Sequence, residues 1–520
     1  MSLNLADIVE MSAAAAPDSE AIVFEDTRMT YRQLADAVRR VAWALRARGI
    51  GPGDKVALLL ANTPHLPILL YGILYYGVLR AGAVVVPMNV LLQWREILYQ
   101  IDDADVKLLF AHAPFAGQAA RAFRAAPKCQ QLVVVEEGLT PSVPEEGESF
   151  LRMLAGSRPE FEPHRTRPDD TAEILFTSAY GGKPLGTELT HYNLFQNTLI
   201  CQAFVQKYRH EDVCLCVLPL FHSFGQTGML NAPLLGTSKI VLQPRFEPHK
   251  VFDIIARERV TLFGMVPSMA WFMVNYKQDK AFDLSSIRAI NVGGAALSRD
   301  LYDAFLERFG IPLLEGYGLT ETSPVVSYNV DAATNRPGSV GKPIFQCEVR
   351  IRREDGSFAG PDEAGEILVR GHNVMKGYYK KPEETGKALH GGWMHTGDLG
   401  RLDADGYLYI TGLKKDLIIR AGMNIYPREI EEVLLRHPDI VEAAVVGVPE
   451  KTRGEEVCAF LRSLSPTPPD EKALRAFCYE HLAPFKCPRH FVYKDVLPRL
   501  VSGKIDKIAL RQALDAPPGL

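Results

Sequence analysis

Between Leu175 and His191 the chain reads LFTSAYGGKPLGTELTH, with hydroxyls, glycines and a lysine behind a short apolar run. That composition suits a backbone folding over phosphate, because glycine lets N–H groups approach an anion and Lys183 adds positive charge. A Walker loop would need Ser or Thr directly after the lysine, and then a helix. Here Pro184 follows Lys183, and GTELTH has the pattern of a strand, so the Walker assignment fails. What remains is a glycine-rich hairpin from which Thr177, Ser178, Gly181, Gly182 and Lys183 could reach a polyphosphate. A plain turn would explain the two adjacent glycines equally well.

Three further stretches carry chemistry. EGYGLTETSP (Glu315 to Pro324) follows the apolar IPLL and sets out Tyr317, Thr320 and Glu321. A ring can stack on a base, a hydroxyl can bond phosphate and a carboxylate can hold Mg2+. GWMHTGDLG puts Asp398 on a glycine-flanked turn, the kind of carboxylate that bonds a ribose diol. LVSGKIDKIALR puts Lys504 on a glycine turn before a helical pattern. PLFHSFG adds His222, for which a hydrogen-bonded core histidine is the competing account. Singly, each has an ordinary reading: a core ring, a solvated acid, an exposed lysine.

Continuous apolar strands alternating with helices must position these groups. KVALLLA, AVVVPMN, VKLLFAH and QLVVVEE read as strands, and TYRQLADAVRRVAWALRARGI as an amphipathic helix capped by Thr30 with Gln33 and stopped by Gly49. KVFDIIARER, TLFGMVP, MAWFMVNY and IRAINVGG continue as helix, strand, helix, strand. Strands apolar throughout are those of parallel sheets covered on both faces. After about residue 325 short strands with DG and AG turns predict an antiparallel or barrel-like lobe. From about Lys415, PREIEEVLLRH, IVEAAVVGVP, EEVCAFLRS and KALRAFCYEHL predict a smaller α+β unit.

Taken jointly and in order, TSAYGGKPLG, PLFHSFG, GGAALS, EGYGLTE, RPGSVGKP, GWMHTGDLG, KKDLIIRAGMNIYPREIEEVL and SGKIDK resemble the motifs of the adenylate-forming superfamily. That superfamily holds acyl-CoA synthetases, peptide-synthetase adenylation domains and luciferases; this chain is most similar to bacterial fatty-acyl-CoA ligases. The resemblance implies a large domain over 1–414, with α/β lobes to about 325 and a β lobe over about 326–414. A small mobile domain over 415–520 would swing about Lys415. It implies adenine between the Gly293-Gly294-Ala295 loop and Tyr317, within Glu315-Gly316-Tyr317-Gly318. Thr320 would touch the α-phosphate, Glu321 would bind Mg2+ and Asp398 the ribose. Lys504 would bridge the α-phosphate and the substrate carboxylate, and His222 would stand at the mouth of the acyl pocket. Gly225, Met229, Val266 and Val325 would line that pocket, the glycines leaving space.

The function so implied is activation of a carboxylic acid by ATP as acyl-AMP, then transfer to the thiol of coenzyme A. No charged residue stands in the stretches that would line the pocket, PLFHSFGQTGM, FGMVPSMAW, INVGGAAL and TSPVVSYN, to recognise an amino group, which argues against an amino acid. A medium- or long-chain fatty acid is expected. The alternatives are an aryl acid, a carrier protein as acyl acceptor, or a lapsed enzyme that only binds acyl chains or nucleotide. Two departures from the family pattern bear on this. Ala179, Tyr180, Gly181 and Leu185 stand where TSGTTGKPKG has G, T, T and K, and Leu413 replaces an arginine that contacts the ribose. Weakened ATP binding is expected.

The totals narrow the partners. Of 520 residues, 47% are hydrophobic; 58 basic against 62 acidic side chains give a net charge of -4. Such balance offers no electrostatic case for nucleic acid or anionic membrane. Eight cysteines without a CxxC pair suit reduced thiols in the cytoplasm. MSLNLADIVE lacks the basic start of a signal peptide. The longest apolar stretch, Leu66 to Leu79, is too short to span a bilayer and reads as a buried helix. A homodimer is left open.

Overall fold

The computed structural model describes residues 2–60, 67–138, 140–141, 145–177, 184–277, 282–413, 416, 418–420, 423–425, 427–450, 454–465, 467–482, 484, 486–500 and 504–515. The chain falls into two compact units, 1–348 with 369–394, and 349–368 with 395–520. In this division the stretch 326–414 contributes to both units. Lys415, the expected hinge, lies outside the described residues.

The first unit holds two large sheets. In the nine-stranded sheet, Leu313–Gly318, Ala289–Val292, Leu262–Met265, Val213–Cys216, Lys239–Leu242 and Glu20–Phe24 run parallel in that spatial order. Antiparallel strands close both edges, Val325–Tyr328 with Lys342–Pro343 on one side and Thr27–Thr30 on the other. The eight-stranded sheet has a parallel core of Thr171–Thr177, Val84–Pro87, Lys55–Leu59, Val106–His112 and Gln131–Val135. Leu185–Thr190 and then Gly377–Tyr378 extend it antiparallel.

The apolar runs explain this arrangement. Ile290, Val292 and Leu313 are buried with side chains from the helices Pro248–Glu258, Pro267–Asn275 and Arg299–Phe309. The expected helix over 31–47 forms with its capping box: the Gln33 N–H donates to Thr30 Oγ1 at 3.3 Å and the Thr30 N–H to Gln33 Oε1 at 2.9 Å. Gly49, at φ +74°, turns the chain just after it. The apolar stretch near residue 70 is the buried helix Pro67–Arg80. No helix among the described residues is long and apolar enough to cross a membrane.

The second unit carries the paired strands Leu408–Leu413 and the later part of Trp393–Leu402. It also holds the α+β segment foreseen: helices Pro427–Leu434 and Glu471–His481 around the antiparallel pair Ile440–Glu450 and Gly454–Ser463. Cys458 and Cys478 are buried there, and all eight cysteines are free thiols.

Candidate active site

In the first unit the site gathers at the carboxyl ends of parallel strands, where open α/β sheets leave a crevice. Val292 pairs in register with Glu315, which brings the loop after Ala289–Val292 beside the EGYG segment. A Cβ on Gly293 would meet the Gly316 carbonyl oxygen at 3.3 Å. The Leu297 N–H points at buried Glu315, 3.4 Å from Oε1. Gly294, at φ +79°, and Ala295 form the exposed rim of this loop. Gly318 packs so closely on the Pro324 carbonyl that a Cβ would lie 2.0 Å from its oxygen. Half-buried Tyr317 stands between these glycines, opposite Ser327. The two expected walls of an adenine slot are therefore adjacent.

Just beyond, Thr320–Thr322 makes a single tight helical turn. Its Glu321 receives two hydroxyls: Thr177 Oγ1 donates to Oε1 at 3.2 Å and Tyr378 Oη to the same oxygen at 3.1 Å. Burial raises the Glu321 carboxyl above its ordinary value, while the hydrogen bonds from Tyr378 and Thr177 pull it down. Thr177 ends the Thr171–Thr177 strand in register with Leu185, so strands flank the glycine-rich stretch on both sides. The strand expectation for GTELTH holds in Leu185–Thr190. Ser178, Gly181, Gly182 and Lys183 lie outside the described residues. Tyr378 is a site residue that sequence reasoning missed. It sits in a two-residue strand paired with Thr187, too short to show any period.

The acyl-side residues divide. His222 is exposed, which rules out a core histidine; it caps the short helix Ser223–Gln226, its Nδ1 accepting the Phe224 N–H at 3.3 Å. Val266 Cγ1 lies 3.6 Å from where a Gly294 Cβ would be. Val325 pairs with Gly318 at the sheet edge. Gly225 does not leave space as expected: a Cβ there would sit 2.3 Å from the Pro219 carbonyl oxygen, so the missing side chain serves close backbone packing. A Cβ on Gly228 would meet the Phe224 ring at 3.4 Å. Met229 is fully buried, its sulfur filling the slot above Gly264. Phe224 fills the corresponding slot at Gly293.

In the second unit, buried Asp398 points its N–H at Thr396 Oγ1, 3.0 Å away, and pairs in register with Leu413. Exposed Lys504 closes a turn in which the Leu500 N–H donates to its carbonyl at 2.8 Å, and Arg499 bridges Ile505.

Among the described residues no group of three or more His, Cys, Asp or Glu side chains could hold a metal by itself. A lone carboxylate with neighbouring hydroxyls fits Mg2+ nonetheless, since that ion keeps several waters and takes one or two carboxylates plus substrate phosphates.

Residues 9–379 match the family model described as AMP-binding enzyme, and 429–504 match AMP-binding enzyme C-terminal domain. The chain is 34% identical over 532 residues to a long-chain-fatty-acid–CoA ligase of Bacillus subtilis (strain 168), covering 96% of this chain and 93% of that one. A 2-succinylbenzoate–CoA ligase of Bacillus mycoides (strain KBAB4) is 32% identical, with 96% of each chain covered. Among solved structures, ATP-bound MatB from Rhodopseudomonas palustris superposes with a TM-score of 0.90 at 30% identity, covering 99% of both chains. On these matches the chain belongs to the AMP-binding enzymes of the adenylate-forming superfamily, as an AMP-forming acid–CoA ligase.

Proposed function

We propose that this ligase acts on a medium- or long-chain fatty acid. The observation that carries the reading is the apolar character of the acyl side: Phe224, Val266, Met269 and Val325, from the stretches expected to line it, are partly buried apolar side chains packed against one hydrophobic core. The pocket stretches contain no charged residue that would pair with an amino group. The fatty-acid ligase relative agrees with this choice. A second reading, an aryl acid, draws support from the flat Phe224 ring in the Gly293 slot and from the succinylbenzoate relative.

The chemistry brings two anions together, since the acid is already ionised at neutral pH and attacks the α-phosphate of ATP. Glu321 would hold Mg2+, which when bound offsets the charge of the phosphates and the leaving pyrophosphate. Thr177 and Tyr378 keep one Glu321 oxygen fixed by their hydroxyls. Tyr317 and the Gly293–Ala295 loop would hold adenine, Thr320 the α-phosphate and Asp398 the ribose. Lys504 would supply a positive charge to the α-phosphate and the acid during adenylation. A functional boundary near Lys415, with the C-terminal part turning about it, would then withdraw that lysine for thiolysis.

Carboxylate-dependent exchange of labelled pyrophosphate into ATP, over a panel of acids, tests this. Exchange rising with alkyl chain length is expected. A maximum with benzoates or cinnamates would replace the fatty acid by an aryl acid, and no exchange with any acid would leave a binder.

A further inference from the structure

Beneath the acyl wall lies a buried polar cluster that none of these roles uses. Glu173, in the Thr171–Thr177 strand, has no exposed surface. Tyr75 Oη donates to its Oε2 at 2.9 Å, and Oε1 has no hydrogen-bond partner among the described residues. Tyr75 stacks on Tyr71 one helical turn away, ring centroids 6.2 Å apart. Gln226 Nε2 donates to Tyr71 Oη at 3.1 Å, and the Gln226 amide also faces Glu173. Gln226 ends the short helix whose N-cap is His222. The following segment is tied to the same long helix, Tyr76 Oη donating to Asn231 Oδ1 at 2.6 Å.

We propose that Glu173 is a positioning residue for the acyl pocket, holding the Ser223–Gln226 helix against the glycine slots of the sheet through Tyr75, Tyr71 and Gln226, and that it does so as the neutral acid. The proposal rests on the acyl-side reading above. Its geometric basis is a fully buried carboxyl whose Oε1 has no hydrogen-bond partner among the described residues: ionised, it would be a buried charge with no cation beside it among those residues, a cost that the neutral acid avoids. Among the described residues the groups facing Glu173 are Tyr71 and Tyr75 from the Pro67–Arg80 helix and Gln226 from the short helix, with Val85 and Leu189 beside it on the flanking strands. None of them carries a charge. Burial pushes the Glu173 carboxyl up to about 7, against the hydrogen bonds from Gln226 and Tyr75. Four residues along the same strand Thr177 reaches Glu321, so one strand serves both the phosphate side and the acyl side.

The test is pyrophosphate exchange without coenzyme A, reading KM for the acid and KM for ATP separately between about pH 6 and 9. In the wild type KM for the acid should rise as pH passes about 7, the value to which Glu173 is raised. Glu173→Gln keeps a neutral donor in place and should flatten that rise. Glu173→Leu should raise KM for the acid about tenfold at every pH while KM for ATP stays within about twofold. Identical pH profiles in wild type and Glu173→Gln would overturn the proposal, as would a Glu173→Leu variant that loses ATP affinity as much as acid affinity. If no acid supports exchange in the wild type, the ligase reading fails, and thermal unfolding still decides the protonation state. A carboxyl raised by folding loses stability as pH climbs from its unfolded value to its folded one. The Tm advantage of Glu173→Gln should therefore widen up to about pH 7 and then level off; a gap constant with pH would show Glu173 to be ionised throughout.

Discussion

Asp398 and Leu413 are register partners on adjacent antiparallel strands. Directly paired cross-strand positions are neighbours on one face of a sheet. The family pattern has an arginine at the second position, which the resemblance places on the ribose. Here that charge is missing. Leu413→Arg should restore a charge-assisted contact worth roughly 1.5–3 kcal/mol, lowering KM for ATP by about tenfold or more. KM for the acid should not follow. An ATP titration in which the variant matches the wild type would show that the loss at this position carries no penalty.

Tyr378→Phe removes one of the two hydroxyls on Glu321 Oε1. Both hydroxyls favour the ionised carboxylate, while burial opposes it. Without Tyr378 the Glu321 pKa rises further, so the acid limb of the exchange rate should move to higher pH. The rate at neutral pH should fall about ten- to a hundredfold, in line with a single hydrogen bond to a charged group. Glu321→Gln should fall much further and should raise the Mg2+ concentration needed for half-maximal rate. A Tyr378→Phe profile superimposable on the wild type would remove Tyr378 from the site.

How far such residues can be read from sequence depends on whether local pattern or distant packing decides them. Val106–His112 is VKLLFAH, a strand that the apolar run predicts residue for residue. The capping box at Thr30 and Gln33 is likewise local. The adjacency of GGAALS and EGYG follows from parallel strand order, and the motifs alone place it. Tyr378 was out of reach because its strand is two residues long and its partner Thr187 lies far upstream. Gly225 misled because a glycine reads the same whether it leaves a void or admits the Pro219 carbonyl. Glu173 sits in AEILF like any strand acid, and only the packing of the Pro67–Arg80 helix shows it to be fully buried.

Lys504→Ala separates the two half-reactions. Lys504 is exposed on a turn, so the variant should fold as the wild type does. Adenylation brings an anionic acid against the α-phosphate, and losing an ammonium there should cut pyrophosphate exchange by about a hundredfold or more. Thiolysis of supplied acyl-AMP should persist, because displacement of AMP by a thiol has no such repulsion to overcome. Equal loss in both assays would mean that Lys504 acts on folding or on nucleotide binding in general.

His191 sets an acid limit on stability. It is 1% exposed, begins the His191–Ile200 helix, and its Nδ1 accepts the Leu5 N–H at 3.1 Å. Burial pushes the imidazole down to about 4, only partly opposed by Asp170. In the unfolded chain it protonates near its ordinary 6.5. Between those two values the unfolded state takes up a proton that the folded state refuses, so stability falls as pH falls. The slope is about 1.4 kcal/mol per pH unit. Glu173 contributes the opposite slope over part of the same range, since its raised carboxyl favours the folded state as pH drops. Comparing wild type with His191→Asn cancels that contribution, because both carry Glu173, and the asparagine amide oxygen can still accept from Leu5. Urea midpoints at about pH 7, 6 and 5 should fall more steeply in the wild type than in the variant. Parallel midpoints would mean that His191 protonates in the folded protein as readily as in the unfolded chain.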